Sequence, residues 1–420
     1  MKTFPTAKIR NVALVGHGGS GKTSLAEALL LVAGVIPRLG KVEDGSTVCD
    51  FDPEEQRRRI SVSLALAPFE LDGVKVNLLD APGYADFVGD VSAAMQAADL
   101  ALFVVSAVEG VEVQTEVAWK LAEQQGIPRA FFVNKLDRER ASFDRTLDQL
   151  KELFGAGIAP LQLPIGEEAS LAGVMELLND TAVTYAGDNP EGSVGPIPPE
   201  MANEEHAVHD ALVEGIVIGD DDLMERYLND EQIDIGELAG ALAAGVASGT
   251  VFPVLCGSAT KLIGIDRLAK FLVEEAPAPQ ASEGPAAAIV FKTIVDPYVG
   301  RVNVFKVLQG TVKHDDVLAN SRTRGDERVH QLFAMRGKDQ DTITEVAAGD
   351  IGAVAKLADT STGDVLATKG TTFEVDAVPP PEPVLAVAIK ARSKGDEDKL
   401  ANALHRLQEE DLVLHIDRNP

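Results

Sequence analysis

The stretch Gly16-His17-Gly18-Gly19-Ser20-Gly21-Lys22-Thr23 constrains the fold of this chain more than any other. An apolar run, Val12 to Val15, leads into it and a helix-forming run, Leu25 to Leu31, leaves it. Strand, glycine-rich loop and helix in that order match G-x-x-x-x-G-K-[ST]. The glycines let backbone N–H groups turn inward on a polyphosphate at a helix N-terminus, where unpaired N–H groups and the helix dipole favour an anion. On this reading Gly16 to Ser24 cradle phosphates, Lys22 reaches the outer ones, and Thr23 ligates Mg2+. The competing reading is a tight turn with no ligand.

At 420 residues the chain is too long for one ordinary core, so two or three domains are expected. Nothing at Met1 to Arg10 resembles a signal peptide, and no apolar run approaches the ~18 residues of a membrane span. Cys49 and Cys256 offer neither a disulfide framework nor a metal cluster, so a reducing cytoplasm is expected. The net charge of −28 argues against a protein that coats nucleic acid by general attraction. Acidity concentrates between Gly166 and Thr250, where nineteen Asp and Glu face a single basic residue, Arg226. A solvated helical surface explains this, and so does a docking face for a basic partner.

Gly34 to Ile60 lacks clean periodicity and reads as a long mobile loop ending in Arg57-Arg58-Arg59-Ile60-Ser61. Ser61 to Phe69 and Val74 to Leu79 read as strands around a turn at Asp72-Gly73. The second ends on Asp80-Ala81-Pro82-Gly83. An Asp at a strand's end suits the acid that holds a Mg2+ shell, and the glycine N–H can meet a γ-phosphate. Alone, the same four residues are common turn chemistry. After a strand at Asp99 to Ser106, a helix at Val111 to Gln124 and a strand at Arg129 to Val133 comes Asn134-Lys135-Leu136-Asp137. The Asp137 carboxylate can accept two hydrogen bonds, from guanine N1–H and the exocyclic amine, a pair adenine lacks. Asn134 would brace the loop and Lys135 would lie along the base plane. An unpaired buried carboxylate costs about 1–3 kcal/mol or more, so the motif selects GTP over ATP. Val251 to Leu255 is the last strand of the set, and Gly257-Ser258-Ala259 after it suits a loop whose backbone N–H reaches guanine O6.

Lys261 to Glu274 reads as a helix, and Ala276 to Pro285 as a Pro/Ala-rich linker. Ile289 to Leu366 alternates short Val/Ile-rich runs with turns at Gly310, Gly325-Asp326 and Gly349-Asp350, the signature of a small β-barrel. Arg322, Arg324, Arg328, Arg336 and Lys338 there can contact phosphates, or be a scatter of solvated charges. Val378 to Pro383 is a second linker, followed by a strand (Val384 to Ala391), a helix (Asp396 to Glu410, apolar at Leu400, Leu404 and Leu407) and a strand start (Leu412 to Asp417).

These motifs together resemble the translational GTPases, and within them the elongation factor G family. The resemblance is carried by Ile9 to Thr23, the switch ending at Ser61, the turn from Asp80 to Phe87, Asn134 to Asp137, Gln162 to Gly166, and Asp296 to Arg301. It implies an α/β architecture: a P-loop GTPase domain at residues 1–280 with an inserted α/β subdomain at 166–250, a β-barrel domain at 285–378, and the beginning of a ferredoxin-like α+β domain at 383–420. It implies GTP or GDP with Mg2+ held by Thr23, Ser61 and Asp80. It also implies a ribosomal partner: rRNA under the barrel and a basic stalk protein against the acidic insert. A monomer with no membrane or DNA partner is expected. Relatives continue beyond the point where this sequence stops, so a fragment or a natural truncation is expected.

Several residues depart from the family pattern. A catalytic His that orients the attacking water is Tyr84 here, an apolar residue and an Asp of the phosphate loop are Gly18 and Gly19, and a Gly and a Thr of the first switch are Arg59 and Ser61. A phenol is longer than imidazole and stays neutral at pH 7. With Tyr84, Gly83 and Lys22 as the catalytic set, weak hydrolysis with intact guanine binding is expected. Three readings stay open: a ribosome-stimulated GTPase, a GTP-gated ribosome-binding regulator with feeble turnover, and a ribosome-protection factor.

Overall fold

The computed structural model describes residues 2–155, 157–187, 189–217, 220–229, 231, 233–296, 299–371, 373, 375, 385–411 and 413–417. The chain forms two compact units, one of Arg10–Ala85 with Ala98–Pro277, the other of Met1–Ile9, Asp86–Ala97 and Ala278–Pro420.

The elements of the first half run β1 (Ile9–Val15), α1 (Lys22–Val32), α2 (Pro53–Arg58), β2 (Ala65–Leu66), β3 (Phe69–Leu71), β4 (Val74–Asp80), α3 (Val88–Ala97), β5 (Leu100–Ser106), α4 (Val113–Gln124), β6 (Arg129–Asn134), α5 (Phe143–Phe154) and β7 (Ile158–Pro160). Then come β8 (Gln162–Ile165), β9 (Gly173–Glu176), β10 (Thr181–Thr184), β11 (Ser193–Pro196), α6 (Ala202–Val217), α7 (Asp221–Leu228), α8 (Ile235–Ser248), β12 (Phe252–Cys256) and α9 (Ile265–Glu274). Helix α3 counts with the second unit.

The larger unit is built on an eight-stranded sheet in the order β2-β4-β1-β5-β6-β12-β7, with β3 added on β4. Strands β1, β5, β6, β12 and β7 are mutually parallel, with Val12 opposite Leu100, Phe103 opposite Phe131 and Phe131 opposite Val254. Leu100 to Val105 is a continuous apolar run and entirely buried, as a parallel strand in the middle of such a sheet must be. Because these strands point one way, the loops that follow β1, β5, β6 and β12 leave from one edge. Asp80 ends at the same edge, since the Ala81 N–H donates to the carbonyl of Leu14 (3.2 Å).

The expected long loop at Gly34 to Ile60 is not structureless. It holds α2, which starts on a capping box: the Asp52 side chain accepts from the Glu54 N–H, Glu55 reaches back to the Asp52 N–H, and Pro53 takes the first helical position. The strand expected from Ser61 to Phe69 shrinks to Ala65–Leu66, with β3 beginning only at Phe69, because the backbone before Ala65 bonds to Glu55 instead of a ladder. The helix expected from Lys261 begins at Ile265. Leu262 (φ 59°) and Gly264 (φ 78°) take left-handed turns that close the backbone of Ser258 on that of Ile263.

The acidic segment carries a four-stranded antiparallel sheet, β11-β10-β9-β8, that begins at Gln162, four residues ahead of Gly166. Its helices bury Leu212, Ile216, Leu223, Leu238, Leu242 and Val246. Glu167, Asp180, Asp220, Asp222, Glu225, Glu231, Asp234 and Glu237 are exposed. Arg226 is paired to Glu237 (2.9 Å).

The second unit contains β13 (Ala287–Asp296), β14 (Gly300–Gln309), β15 (Thr311–Lys313), β16 (Val317–Asn320), β17 (Asp326–Arg328), β18 (Gln331–Arg336), β19 (Asp339–Thr342), β20 (Glu345–Ala347), β21 (Ile351–Ala355), β22 (Val365–Thr368) and α10 (Glu397–Glu410). Eight strands pair in the order β17-β16-β22-β13-β14-β21-β18-β19, and β15 pairs with β20. Alternate residues of distant strands, among them Ala288, Val290, Phe305, Val307, Leu332 and Leu366, meet in one core, so the sheet curls around it. Arg322 is exposed and also paired: Asp364 accepts from its Nε (2.7 Å) and Nη2 (2.8 Å).

Helix α10 forms, but Leu400 and Leu404 are only partly covered and Leu407 is exposed. The two strands expected around it do not form among the described residues. Leu385, Val387 and Ile389 keep the alternation of a strand yet stand exposed, and a strand exists only where a neighbour takes its N–H and C=O groups. Val384, Leu412, Pro297, Tyr298 and the second linker lie outside the described residues. No helix among the described residues is long and apolar enough to cross a membrane.

Candidate functional site

The loop after β1 is shaped by its glycines. Gly16 (φ 131°), Gly19 (φ 82°) and Gly21 (φ 96°) adopt left-handed backbone that other residues rarely take. At Gly16 a Cβ would lie 2.5 Å from the carbonyl oxygen of Val104, and at Gly21 it would strike Nδ2 of Asn134. Gly18 needs no such conformation; a side chain there would have to displace the outer edge of the Tyr84 ring, which rests on it. A side chain at Gly83 would collide with Lys22 Nζ and the Gly18 backbone, so the loop after β4 packs directly on the loop after β1.

Lys22 is buried at the start of α1 and donates from Nζ to the carbonyls of Gly16 and His17, each at 2.9 Å. Burial lowers its pKa, opposed by the charges of Asp80 and Asp50. The His17 ring lies 3.4 Å from Glu112, in the loop after β5. Ser24 is half-buried in the first turn of α1.

Thr23 Oγ1 meets Ser61 Oγ at 3.1 Å, and Ser61 donates to Asp50 Oδ1 at 2.8 Å, which leaves Thr23 as the donor to Ser61. Asp80 is 1 % exposed, and neither of its carboxylate oxygens has a properly aligned hydrogen bond; Asp50 Oδ2 is likewise unpartnered. Burial raises the pKa of Asp80, the neighbouring charge of Asp50 raises it further, and Lys22 and the Thr23 hydroxyl beside it oppose this. Buried carboxylate oxygens without a well-aligned donor are costly. With the Thr23 and Ser61 hydroxyls they form a set of hard oxygen donors that fits Mg2+. Among the described residues no three His, Cys, Asp or Glu side chains gather as a metal cage.

The loops after β6 and β12 are knitted through Asn134. Its Nδ2 donates to the Ser20 carbonyl (3.0 Å) and its Oδ1 accepts from the Ala259 N–H (3.0 Å), tying the phosphate-type loop to the 257–259 loop. Ser258 Oγ donates to Asp137 Oδ1 at 2.6 Å, and the Leu136 N–H reaches the Gly257 carbonyl at 3.3 Å. Lys135 turns left-handed (φ 66°) and its Nζ lies 3.5 Å from Glu109. Residues up to 243 positions apart in sequence, Gly16 to Ala259, thus share one edge of the sheet.

Sequence reasoning missed Glu27, Asp50 and Glu55, all buried around Ser61 or its segment. The capping-box pattern Asp52-Pro53-Glu54-Glu55 was legible as a helix start; nothing in the sequence marks Glu27 apart from its helix.

The family model of the elongation factor Tu GTP binding domain matches residues 7–278, that of elongation factor G domain 2 matches residues 285–369, and that of elongation factor G domain III matches residues 380–420. Elongation factor G-like proteins of Mycobacterium tuberculosis, strains CDC 1551 / Oshkosh and H37Rv, are 39% identical over 99% of this chain. The chain spans 63% of their length. A crystal structure of a Thermus thermophilus protein superimposes with a TM-score of 0.91 at 37% identity, over 98% of this chain and 62% of that one.

Proposed function

Because the chain belongs to the elongation factor G family of translational GTPases, we propose that it binds GTP and GDP with Mg2+, acts on the ribosome, and hydrolyses GTP slowly. The backbone from Gly16 to Ser24 holds the phosphates at the N-terminus of α1, with Lys22 released from its loop carbonyls to an outer phosphate. Thr23, Ser61 and Asp80 hold the cation, which when bound neutralises charge on the phosphate oxygens. Asp137 reads the guanine and Lys135 flanks it; the Ser258–Ala259 turn borders the base, with its two N–H groups held by the Ile263 carbonyl and Asn134 Oδ1. On this reading residues 1–280 form the nucleotide domain, although 1–9 and 86–97 group with the second compact unit, while 285–378 form the barrel domain and 383–420 belong to a third.

The observation that carries this reading is Asn134, whose amide uses both ends to lock the phosphate loop to the guanine loops while Ser258 aims the Asp137 carboxylate. Calorimetric titration tests it: GTP and GDP bind and ATP does not, and equal affinity for ATP and GTP sinks it. A second reading, a GTP-gated ribosome-binding regulator without useful turnover, is favoured by the Tyr84 ring lying on the phosphate loop at Gly18. GTP turnover with and without ribosomes separates the two. The exposed acidic insert supports docking to a basic ribosomal protein, an attraction that salt screens over ~8 Å at physiological strength.

A further inference from the structure

Two buried glutamates outside the nucleotide motifs hold the segment between α1 and β2 by its own backbone. Glu27, on α1 and 1 % exposed, accepts from the N–H groups of Gly40 (3.1 Å) and Val48 (2.5 Å). Glu55, on α2 and 2 % exposed, accepts from those of Asp52 (3.1 Å), Val62 (3.0 Å) and Ser63 (3.2 Å). Such donors offset the cost of burying a carboxylate, and charged acceptors make the stronger bonds.

The path of the chain makes the second clamp possible. Helix α2 ends at Arg59 in left-handed backbone (φ 60°), with its N–H on the Glu55 carbonyl at 2.6 Å. That reversal turns the N–H groups of Val62 and Ser63 back toward the Glu55 side chain. Ser61 sits between Arg59 and these two anchored amides, and its hydroxyl meets Thr23 and Asp50.

We propose that Glu55 is a positioning residue for the cation site: by holding the amides of Val62 and Ser63 it presents the Ser61 hydroxyl to Thr23, while Glu27 anchors the other end of the segment. Glu55 itself touches neither nucleotide nor cation. Its effect on the cation rests on the nucleotide reading above, whereas its hold on the backbone does not.

The test has two arms on the full 420-residue chain. In the first, without nucleotide, hydrogen exchange is followed at Val62 and Ser63. Glu55→Ala should speed exchange there by about tenfold or more. Glu55→Asp, which keeps the charge but is one methylene too short, should do the same and serves if the alanine variant folds poorly. Glu55→Gln retains an acceptor and should restore most of the protection. Unchanged exchange at both amides in the alanine and aspartate variants overturns the proposal. In the second arm, fluorescent GDP is titrated at a series of Mg2+ concentrations. The Mg2+ midpoint should rise several-fold in Glu55→Ala; an equal loss of nucleotide affinity at every Mg2+ level means a merely structural role and overturns the positioning claim. If the parent chain binds no guanine nucleotide, the nucleotide reading fails and the exchange arm alone decides on Glu55.

Discussion

The outer edge of the Tyr84 ring lies on the Cα of Gly18, so closely that a Cβ there would sit 2.8 Å from Cζ and 2.9 Å from Cε2. Two departures from the family pattern, one in the phosphate-type loop and one 66 positions later, are therefore a single packing arrangement. Gly18 is glycine for space and not for conformation, since its φ is not in the left-handed region. Tyr84 is 40 % exposed, so a side chain at position 18 can push the ring outward without breaking the loop.

A double-mutant cycle tests this coupling. Gly18→Val should displace the ring, and its effect should largely vanish in a Tyr84→Ala background, a coupling of about 0.5–3 kcal/mol in urea unfolding. Additivity within a few tenths of a kcal/mol means the ring does not rest on the loop. Tyr84→His should raise ribosome-stimulated GTP turnover several-fold with little change in GTP affinity. A misplacement of ~1 Å at a water-positioning group costs about a hundredfold. If that variant is no faster, Tyr84 is not what limits hydrolysis.

Asp137→Asn should move preference from guanine toward xanthine nucleotides. The amide exchanges one acceptor for a donor, and Ser258, which now donates to Asp137 Oδ1, keeps the side chain aimed as before. Competition binding with xanthosine and guanosine diphosphates reads the outcome. A variant that still prefers GDP as strongly as the parent removes Asp137 from base recognition.

Arg59 occupies backbone that suits glycine, with φ 60° at the end of α2. Left-handed backbone costs a non-glycine residue about 1–2 kcal/mol, and glycine's greater freedom in the unfolded chain returns ~0.4–1 kcal/mol of that. Arg59→Gly should therefore stabilise the chain modestly, seen as a higher unfolding midpoint with unchanged denaturant slope. A clear loss of stability would show that the guanidinium makes a compensating contact.

Glu55 ties stability to pH. Burial pushes its carboxyl up to about 7, with Asp50 adding to the shift and the amides of Val62, Asp52 and Ser63 opposing it. A folded-state pKa above the unfolded value, ordinarily near 4.3, means its contribution is fully present below that value and lost as pH rises through about 7. Between pH 5 and pH 8 the parent should lose more stability than Glu55→Gln, which does not titrate. Parallel stability curves for the two proteins across that window contradict the assignment.

The sequence by itself determined the elements whose signals are local. Val12 to Val15 with the glycines at 16, 19 and 21 and the helix after Lys22 form a strand, turn and helix wherever they occur, because left-handed backbone and apolar runs are decided within a few residues. The alternation from Ile289 to Leu366 likewise foretold a β-rich unit. Tertiary structure decided what depends on a partner far along the chain. Leu385, Val387 and Ile389 alternate correctly and still make no strand among the described residues, since the ladder needs a neighbour. Glu27 looked like any helical glutamate until residues 40 and 48 folded onto it, and Gly18 looked like loop chemistry until Tyr84 came to lie over it. Backbone propensity acts over one turn, but burial, orphaned carboxylates and close ring contacts arise only when distant segments share the same space.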